Sequence, residues 1–294
     1  MPGLPPSSTS STVRRFADAR RVVRRAARAW GRHHWLALAV ALVLVTGAPS
    51  TRAGAQDPDP APGTFSILGF DPVTGEIGGA VASRVFSVGN GVLWAEAGVG
   101  AVATQATIDV SYGPQGLALL KQGLAPQNII TKILADDPDQ GLNGRPWPKT
   151  GRQFAVMNMK GEYAAHTGTT AQDWKGHKGG RFCTAQGNIL AGEAVVAKMV
   201  EAFEASEKRE DGTPNRLAQR LMAALEAGDA AGGDSRGKQS AAMLIVKKDG
   251  GVWLHNDVVA RLQVDDSPEP IKELRRLVDR APAGRPQGRG RGGT

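Results

Sequence analysis

Two apolar runs set back to back constrain the fold of this chain more than any other feature. Gly63-Thr64-Phe65-Ser66-Ile67-Leu68-Gly69-Phe70 is followed by Asp71-Pro72-Val73-Thr74-Gly75-Glu76 and then by Ile77-Gly78-Gly79-Ala80-Val81-Ala82-Ser83-Arg84-Val85-Phe86. Asp-Pro opens a turn and Gly closes it, so the runs read as a β-hairpin at the front of a folded domain. The threonine that opens the first strand directly follows a glycine. As a β-branched residue it is a good strand former and needs no further role. If the Gly63–Thr64 bond is cut, however, Thr64 carries a free α-amine beside its own hydroxyl. The amine then serves as the base for the hydroxyl, the Thr–N-terminus form of an activated nucleophile. The stretch alone leaves both readings open.

Charge is concentrated at the two ends. The formal charge is +8 over 294 residues; residues 1–62 carry +6 (nine Arg, three Asp) and residues 281–294 carry +3 (three Arg), which leaves the middle at −1. The high pI therefore belongs to the ends and does not point to nucleic acid. Residues 1–55 read as an export signal, with a basic stretch from Arg14 to Arg32, an apolar core from Trp35 to Val45 and an Ala53-Gly54-Ala55 cleavage pattern. The apolar core is shorter than the ~20 residues of a membrane span. An uncleaved anchor is the rival reading. Gln56 is the expected mature start, with 56–63 a linker or propeptide, 64–280 the folded domain and 281–294 a disordered Gly/Arg tail. A secreted or periplasmic location follows, with no membrane contact once the signal is removed.

The single cysteine, Cys183, has no internal disulfide partner. It reads as a small buried hydrophobe, and no neighbour suggests a lowered pKa. His166, His177 and His255 lack metal-ligand spacing, and no metal or cofactor is expected. There is no G-x-S-x-G elbow, P-loop, H-E-x-x-H or strand-borne G-x-G-x-x-G.

Within the folded part, Val99–Ala106 suits a strand buried on both faces. Helices are expected from Gly116 to Gly123 and over Ala125–Ala135. A second hairpin pairs Arg152–Met157 with Glu162–Gly168 around Asn158-Met159-Lys160-Gly161. Helices follow at Ile189–Glu207 and at Asn215–Ala227, the latter capped by Gly228. The glycine-rich loop 232–240 feeds a strand at Ala241–Val246, a turn leads into Val252–His255, and a last helix spans Pro268–Arg280. Blocks of strands and helices in this order fit layered α+β structure with mainly antiparallel sheets.

The blocks Thr64–Ile67, Asp71–Glu76, Ala80–Arg84, Gly98–Gln105, Gln186–Asn188 and Ala227–Ala242 together resemble the bacterial domain of unknown function one thousand and twenty-eight. That family is similar to the N-terminal nucleophile hydrolases. The resemblance spans about Thr64 to Leu277 and implies a four-layer αββα sandwich. It implies that Thr64, the first residue of the first strand, is the nucleophile, and the Gly63–Thr64 bond resembles the self-cleaved junction of proteasome β-subunits. Some relatives carry a peptidoglycan-binding domain, which implies a cell-wall role; this chain shows no such segment.

The resemblance also suggests partners for Thr64. Arg84, at the end of the second strand, is a candidate catalytic cation, or else a solvated or ion-paired Arg. Asn188 is a candidate oxyanion donor, or else the cap of the helix it precedes. Ser83, on the face opposite Arg84, joins Asp234, Arg236 and Gln239 as the candidate substrate-binding set; the last three crowd one glycine-rich loop suited to a carboxylate or amide, or else Asp234 and Arg236 form a structural pair that shapes a tight loop. The expected function is amide hydrolysis in a small-molecule, peptide or cell-wall-derived substrate. The alternative is a non-catalytic binding or assembly protein on the same fold, and a homo-oligomer is compatible with either.

Overall fold

A computed structural model of the chain describes residues 63–282, all within one compact unit. The stretch expected to be an export signal, most of the expected linker and most of the expected tail lie outside the described residues.

The 64–83 hairpin forms as its turn chemistry dictates. Strand β1 (Thr64–Phe70) pairs antiparallel with β2 (Ile77–Ser83) in a register that sets Thr64 opposite Ser83 and Phe70 opposite Ile77. Asp71 shapes the turn, its Oδ1 accepting from the main-chain N–H groups of Val73 and Thr74 at 2.8 and 3.3 Å. After β2 come a short helix α1 (Gly89–Val92), β3 (Leu93–Glu96) and β4 (Gly100–Ala106). Helices α2 (Tyr112–Lys121) and α3 (Pro126–Asp136) lead to β5 (Arg152–Asn158) and β6 (Tyr163–Thr167). Strands β7 (Gly176–Gly180) and β8 (Cys183–Asn188) precede α4 (Ala194–Ala205) and α5 (Leu217–Ala230). Strands β9 (Ser240–Val246) and β10 (Val258–Val264) and helix α6 (Pro270–Arg280) close the described part.

The strands form two antiparallel sheets. One has six strands in the order β10-β9-β2-β1-β8-β7, and the other has four in the order β3-β4-β5-β6. Alternation along each strand divides the core. Phe65 and Ile67 of β1 cluster with Ala80, Ala82, Ala185, Met243 and the inner faces of α4, α5 and α6. Leu68 and Phe70, one residue out of phase, cluster with Ile77, Val81, Ala101, Ala103, Ala155 and Met157. Val102, Phe154 and Val156 of the smaller sheet turn to Tyr112, Leu120, Ile129 and Ile133 of α2 and α3.

Three expectations change. Helix α4 starts at Ala194 rather than Ile189. Ile189 has φ 54°, a conformation that costs a β-branched residue dearly and stops a helix from running through it. Asn188 therefore ends a strand and caps no helix. Gly228 is an interior residue of α5, not its cap. A Cβ there would lie 2.8 Å from Met199 Cγ, so the glycine lets α5 pack closely on α4. The run Val252–His255 is an exposed turn, with Trp253 75% accessible, and the returning strand is Val258–Val264. Gly251 N–H bonding to Asn256 O at 2.8 Å closes that turn before the pairing resumes.

Candidate functional site

Parity along β1 determines what surrounds Thr64. Leu68 and Phe70 face the second sheet in an apolar layer, and Ser66 and Thr64 continue the same face. The neighbours in register are polar too: Ser83 on β2 and Asn188 on β8 flank Thr64, and Gln186 flanks Ser66. Across the layer, Gln105 of β4 pairs in register with Gln153 of β5, and Gln153 with Thr167 of β6. One end of the layer between the sheets is thus apolar, and the other is built from hydroxyls and amides.

Thr64 is 2% exposed. Its Oγ1 donates to Ser83 Oγ at 3.1 Å, and Ser83 Oγ donates in turn to the carbonyl of Gly63 in a short bond. The Gly63 carbonyl takes a second bond, from Arg236 Nη2 at 3.2 Å. Arg236 is held by Asp234: Nε reaches Oδ1 at 3.0 Å, Nη2 reaches Oδ2 at 2.7 Å, and the Arg236 main-chain N–H meets Oδ1 at 3.0 Å. The Asp234 side chain is fully buried and that of Arg236 is 18% exposed. Bidentate pairing of this kind fixes the guanidinium plane as well as its charge. The loop reaches the site because Ser235 N–H donates to Ile189 O at 2.9 Å and Leu190 bridges to Asp234. The unfavourable φ of Ile189 thus occurs where the Asp234 loop meets the end of β8.

Gly63 itself is enclosed. A Cβ on it would meet Asp234 Oδ2 at 2.7 Å, Ile189 Cβ at 2.8 Å and Arg236 Nη2 at 2.9 Å. Only glycine fits there without displacing those groups.

Of the residues singled out in the sequence, Thr64, Ser83, Asp234 and Arg236 come together around the Gly63–Thr64 bond. Asn188 lies beside Thr64 but gives its Nδ2–H to Gln153 Oε1 at 3.0 Å. Arg84 approaches through its main chain, whose N–H meets Asp234 Oδ2 at 3.4 Å, while its side chain is exposed. Gln239 also joins by main chain, N–H to Ser83 O at 2.8 Å; its side-chain amide turns away to Asp266 at 3.0 Å. Cys183 is buried on the helix side of β8, and burial pushes its thiol up to about 12. It is an inert core residue.

Motif reading passed over Gln105, Gln153, Ser66 and Gln186, all 0–1% exposed. Ser66 Oγ donates to Gln105 Oε1 and accepts from Gln186 Nε2, both at 2.6 Å. Gln105 Nε2 donates to Gln153 Oε1 at 2.9 Å and to Thr64 O at 3.3 Å. The available signal was polar side chains at core-facing positions of otherwise apolar strands.

A cavity of about 300 Å³ lies elsewhere, lined by residues of α1, β3, β9 and β10 such as Asn90, Trp94, Leu244 and Gln263. None of Thr64, Ser83, Asn188, Asp234 or Arg236 lines it.

The model of a family of unknown function, DUF1028, matches residues 64–274. The chain is similar to protein SPO2555 from Silicibacter pomeroyi, a solved structure of that family, at 33% identity over 74% of this chain and 86% of the other, with a TM-score of 0.64. A looser match is Anbu, an ancestral β-subunit, from Yersinia bercovieri: 12% identity, 73% of this chain, 92% of the other, TM-score 0.30. No curated protein matches the chain.

Proposed function

The chain belongs to the DUF1028 family, and from that premise we propose that it is an amidohydrolase of the N-terminal nucleophile type that frees Thr64 by cutting its own Gly63–Thr64 bond. The observation carrying this reading is the double hold on the Gly63 carbonyl, by Ser83 Oγ and by Arg236 Nη2, with Thr64 Oγ1 bonded to the same Ser83. The separation of the three core clusters supports a four-layer αββα sandwich, with α4–α6 outside one sheet and α2–α3 outside the other.

The proposed chemistry balances through those groups. Thr64 Oγ1 attacks the Gly63 carbonyl carbon. Its proton passes to Ser83 Oγ, which gives its own proton to the carbonyl oxygen, and Arg236 stabilises the charge that develops there. The tetrahedral centre collapses as its hydroxyl proton moves to the Thr64 nitrogen and the C–N bond breaks. An ester on Oγ1 and a free amine remain. Water hydrolyses the ester, leaving the Gly63 carboxylate and a Thr64 hydroxyl beside its own amine, which is then the base for attack on a substrate amide. Burial of Thr64 is consistent with an uncut precursor, in which Gly63 occupies the ground beside the nucleophile. The substrate class we propose is the amide bond of a small molecule, peptide or cell-wall fragment, met after export.

Mass measurement of purified precursor over time tests this. The wild type should lose everything up to Gly63 without added protease, Thr64→Ser should do so more slowly, and Thr64→Ala should stay intact. Trimming of Thr64→Ala at the same bond would assign the cut to an outside protease. A wild type that never exposes Thr64 would sink the reading and leave binding or assembly on the same fold.

A further inference from the structure

We propose that Gln105 and Gln153 are positioning residues for Thr64, holding its carbonyl and the Asn188 amide from the second sheet through a one-way hydrogen-bond chain that ends on His177. Its relevance to catalysis rests on the nucleophile reading above; the chain of bonds does not.

The direction of the chain follows from its carbonyl partners. Gln153 Nε2 faces the main-chain oxygens of Gly187 at 2.8 Å and Gly176 at 3.2 Å. Only an N–H is tolerated there, so Gln153 Oε1 must point the other way, where it accepts from Gln105 Nε2 and Asn188 Nδ2. Gln105 Nε2 likewise faces two main-chain oxygens, Thr64 O at 3.3 Å and Gln186 O at 3.4 Å. Its Oε1 is thereby turned to the Ser66 hydroxyl. Both amides have one workable orientation. Thr167 Oγ1 lies 3.0 Å from Gln153 Nε2, whose two protons it shares with the two carbonyls, and 2.9 Å from His177 Nδ1, to which the Thr167 hydroxyl can donate. When Thr167 donates, the imidazole accepts through Nδ1 as the neutral Nε2–H tautomer.

Two long amides spanning two sheets are an expensive way to fill a core, since each must be fully bonded to offset its desolvation. These two bond to Thr64 and to Asn188, the strand neighbour of Thr64. Leucine would fill the same volume without orienting either. Gln105 is followed by Ala106 at φ 64°, and Asn188 by Ile189 at φ 54°, so each of these strands ends in an unfavourable backbone just beyond its amide.

His177 is solvent-exposed on β7, yet desolvation by the groups packed against its ring lowers its pKa. Its titratable neighbour in the layer is His166 on β6, whose pKa it helps lower; Lys178, next on its strand, alternates to the other face, where it meets Glu201 of α4. Protonation places an N–H where Thr167 donates. Thr167 Oγ1 then accepts from both N–H groups and no longer donates, which weakens its hold on Gln153 Nε2 and so the amide to which Gln105 and Asn188 donate.

Two experiments test the proposal. In the first, precursor processing is timed from pH 5 to 8. Gln105→Leu and Gln153→Leu should slow it by about 100-fold, the cost of misplacing a reacting group by about 1 Å. The wild-type rate should fall on the acid side with an inflection that Thr167→Val removes, because valine cuts the link to His177 and leaves Gln153 its two carbonyl partners. Wild-type rates in the leucine variants, or an acid inflection unchanged in Thr167→Val, would overturn the proposal. The second needs no activity and so separates its failure from that of self-processing. In ¹⁵N-labelled Thr64→Ala chain, the side-chain amide signals of Gln153, Gln105 and Asn188 should move together with the His177 titration, and Thr167→Val should uncouple them. Amide signals blind to that titration would overturn the proposal even if the leucine variants failed to fold.

Discussion

Gly63→Ala probes the arrangement around the Gly63–Thr64 bond, and the cut proposed there, most directly. The added methyl would lie under 3.0 Å from three groups at once: Asp234 Oδ2, Ile189 Cβ and Arg236 Nη2. Ile189 Cβ sits next to the backbone and cannot swing away. The Asp234–Arg236 pair can, but Asp234 is also held by the Arg84 main-chain N–H, so the guanidinium is the more mobile partner. Its displacement removes one of the two donors on the Gly63 carbonyl. Loss of one oxyanion donor costs about 10²–10³-fold in rate, and forcing a methyl into a filled site costs about 1–3 kcal/mol of stability. For a domain of this size that is about 2–4 °C of Tm per kcal/mol. Time-resolved intact mass should show Gly63→Ala processing slowed by about that rate factor, and calorimetry should show the matching fall in Tm. Arg236→Met should slow processing similarly. The double variant should add little, because both changes remove one contact. Processing of Gly63→Ala at the wild-type rate, or full additivity in the double variant, would refute the reasoning.

Two further expectations concern groups outside the reaction. Asp137 is buried; burial alone would raise its carboxyl, but hydrogen bonds from Tyr112, the Asp139 amide and Arg152 outweigh that and hold it below the usual carboxylate range. Its contribution to stability is therefore complete above about pH 4, the unfolded value, and is lost as pH falls through the lower folded value. Asp137→Asn should destabilise by about 3–5 kcal/mol by leaving Arg152 buried without its counter-ion, and a denaturant titration that moved by less than about 1 kcal/mol would contradict this. Cys183, with its thiol near 12, should resist alkylation by iodoacetamide in the native chain at pH 8 and react after denaturation; rapid native labelling seen by mass would show the thiol to be accessible and activated.

The hairpin that opens the domain was legible because two local codes agree in it: Asp-Pro with a closing Gly at the turn, and unbroken apolar small residues on either side. Strand β7 was not, because Gly176–Gly180 is glycine-rich, largely exposed and lacks any apolar period; it forms only because β8 offers it an edge. The start of α4 was misplaced since Ile189-Leu190-Ala191 continues its apolar pattern, while the turn at Ile189 is imposed by contacts with Gln172 and Ser235 far along the chain. At the site, the residue types around Thr64 were foreseen better than their roles. Asp234 and Arg236 were read either as a substrate cradle or as a structural pair shaping the loop; they do pair, and through that pair they also grip the chain's own Gly63. Arg84 was valued for its charge, and the structure uses its amide. No local pattern reveals which side chain turns inward at a loop, as the amide of Gln239 bonded to Asp266 illustrates.

The glutamines were invisible for a different reason, and it bears on how such a site is built. A buried amide is detected in sequence only as an exception to alternation, and a single exception is indistinguishable from an edge or a strand end. Gln105, Gln153 and Gln186 each fall near one end of a strand. Only the pairing brings those ends to the same level, next to Thr64. The apolar half of the layer, from Leu68 and Val81 to Ala103 and Met157, locks the two sheets without regard to direction. Hydrophobic contact tolerates small slips and rotations, and a nucleophile does not. The amide half supplies the missing direction, because each bond there is satisfied in one orientation only. Its residual cost is visible in the Gln186 Oε1 acceptor and the Thr184 hydroxyl, buried polar groups left without a protein partner on the face of β8 that looks into the layer. Replacing an amide with leucine leaves buried partners unpaired, at about 1–3 kcal/mol each, and should slow the reaction at Thr64 by more than the lost stability accounts for, a divergence that a purely structural role for them does not produce.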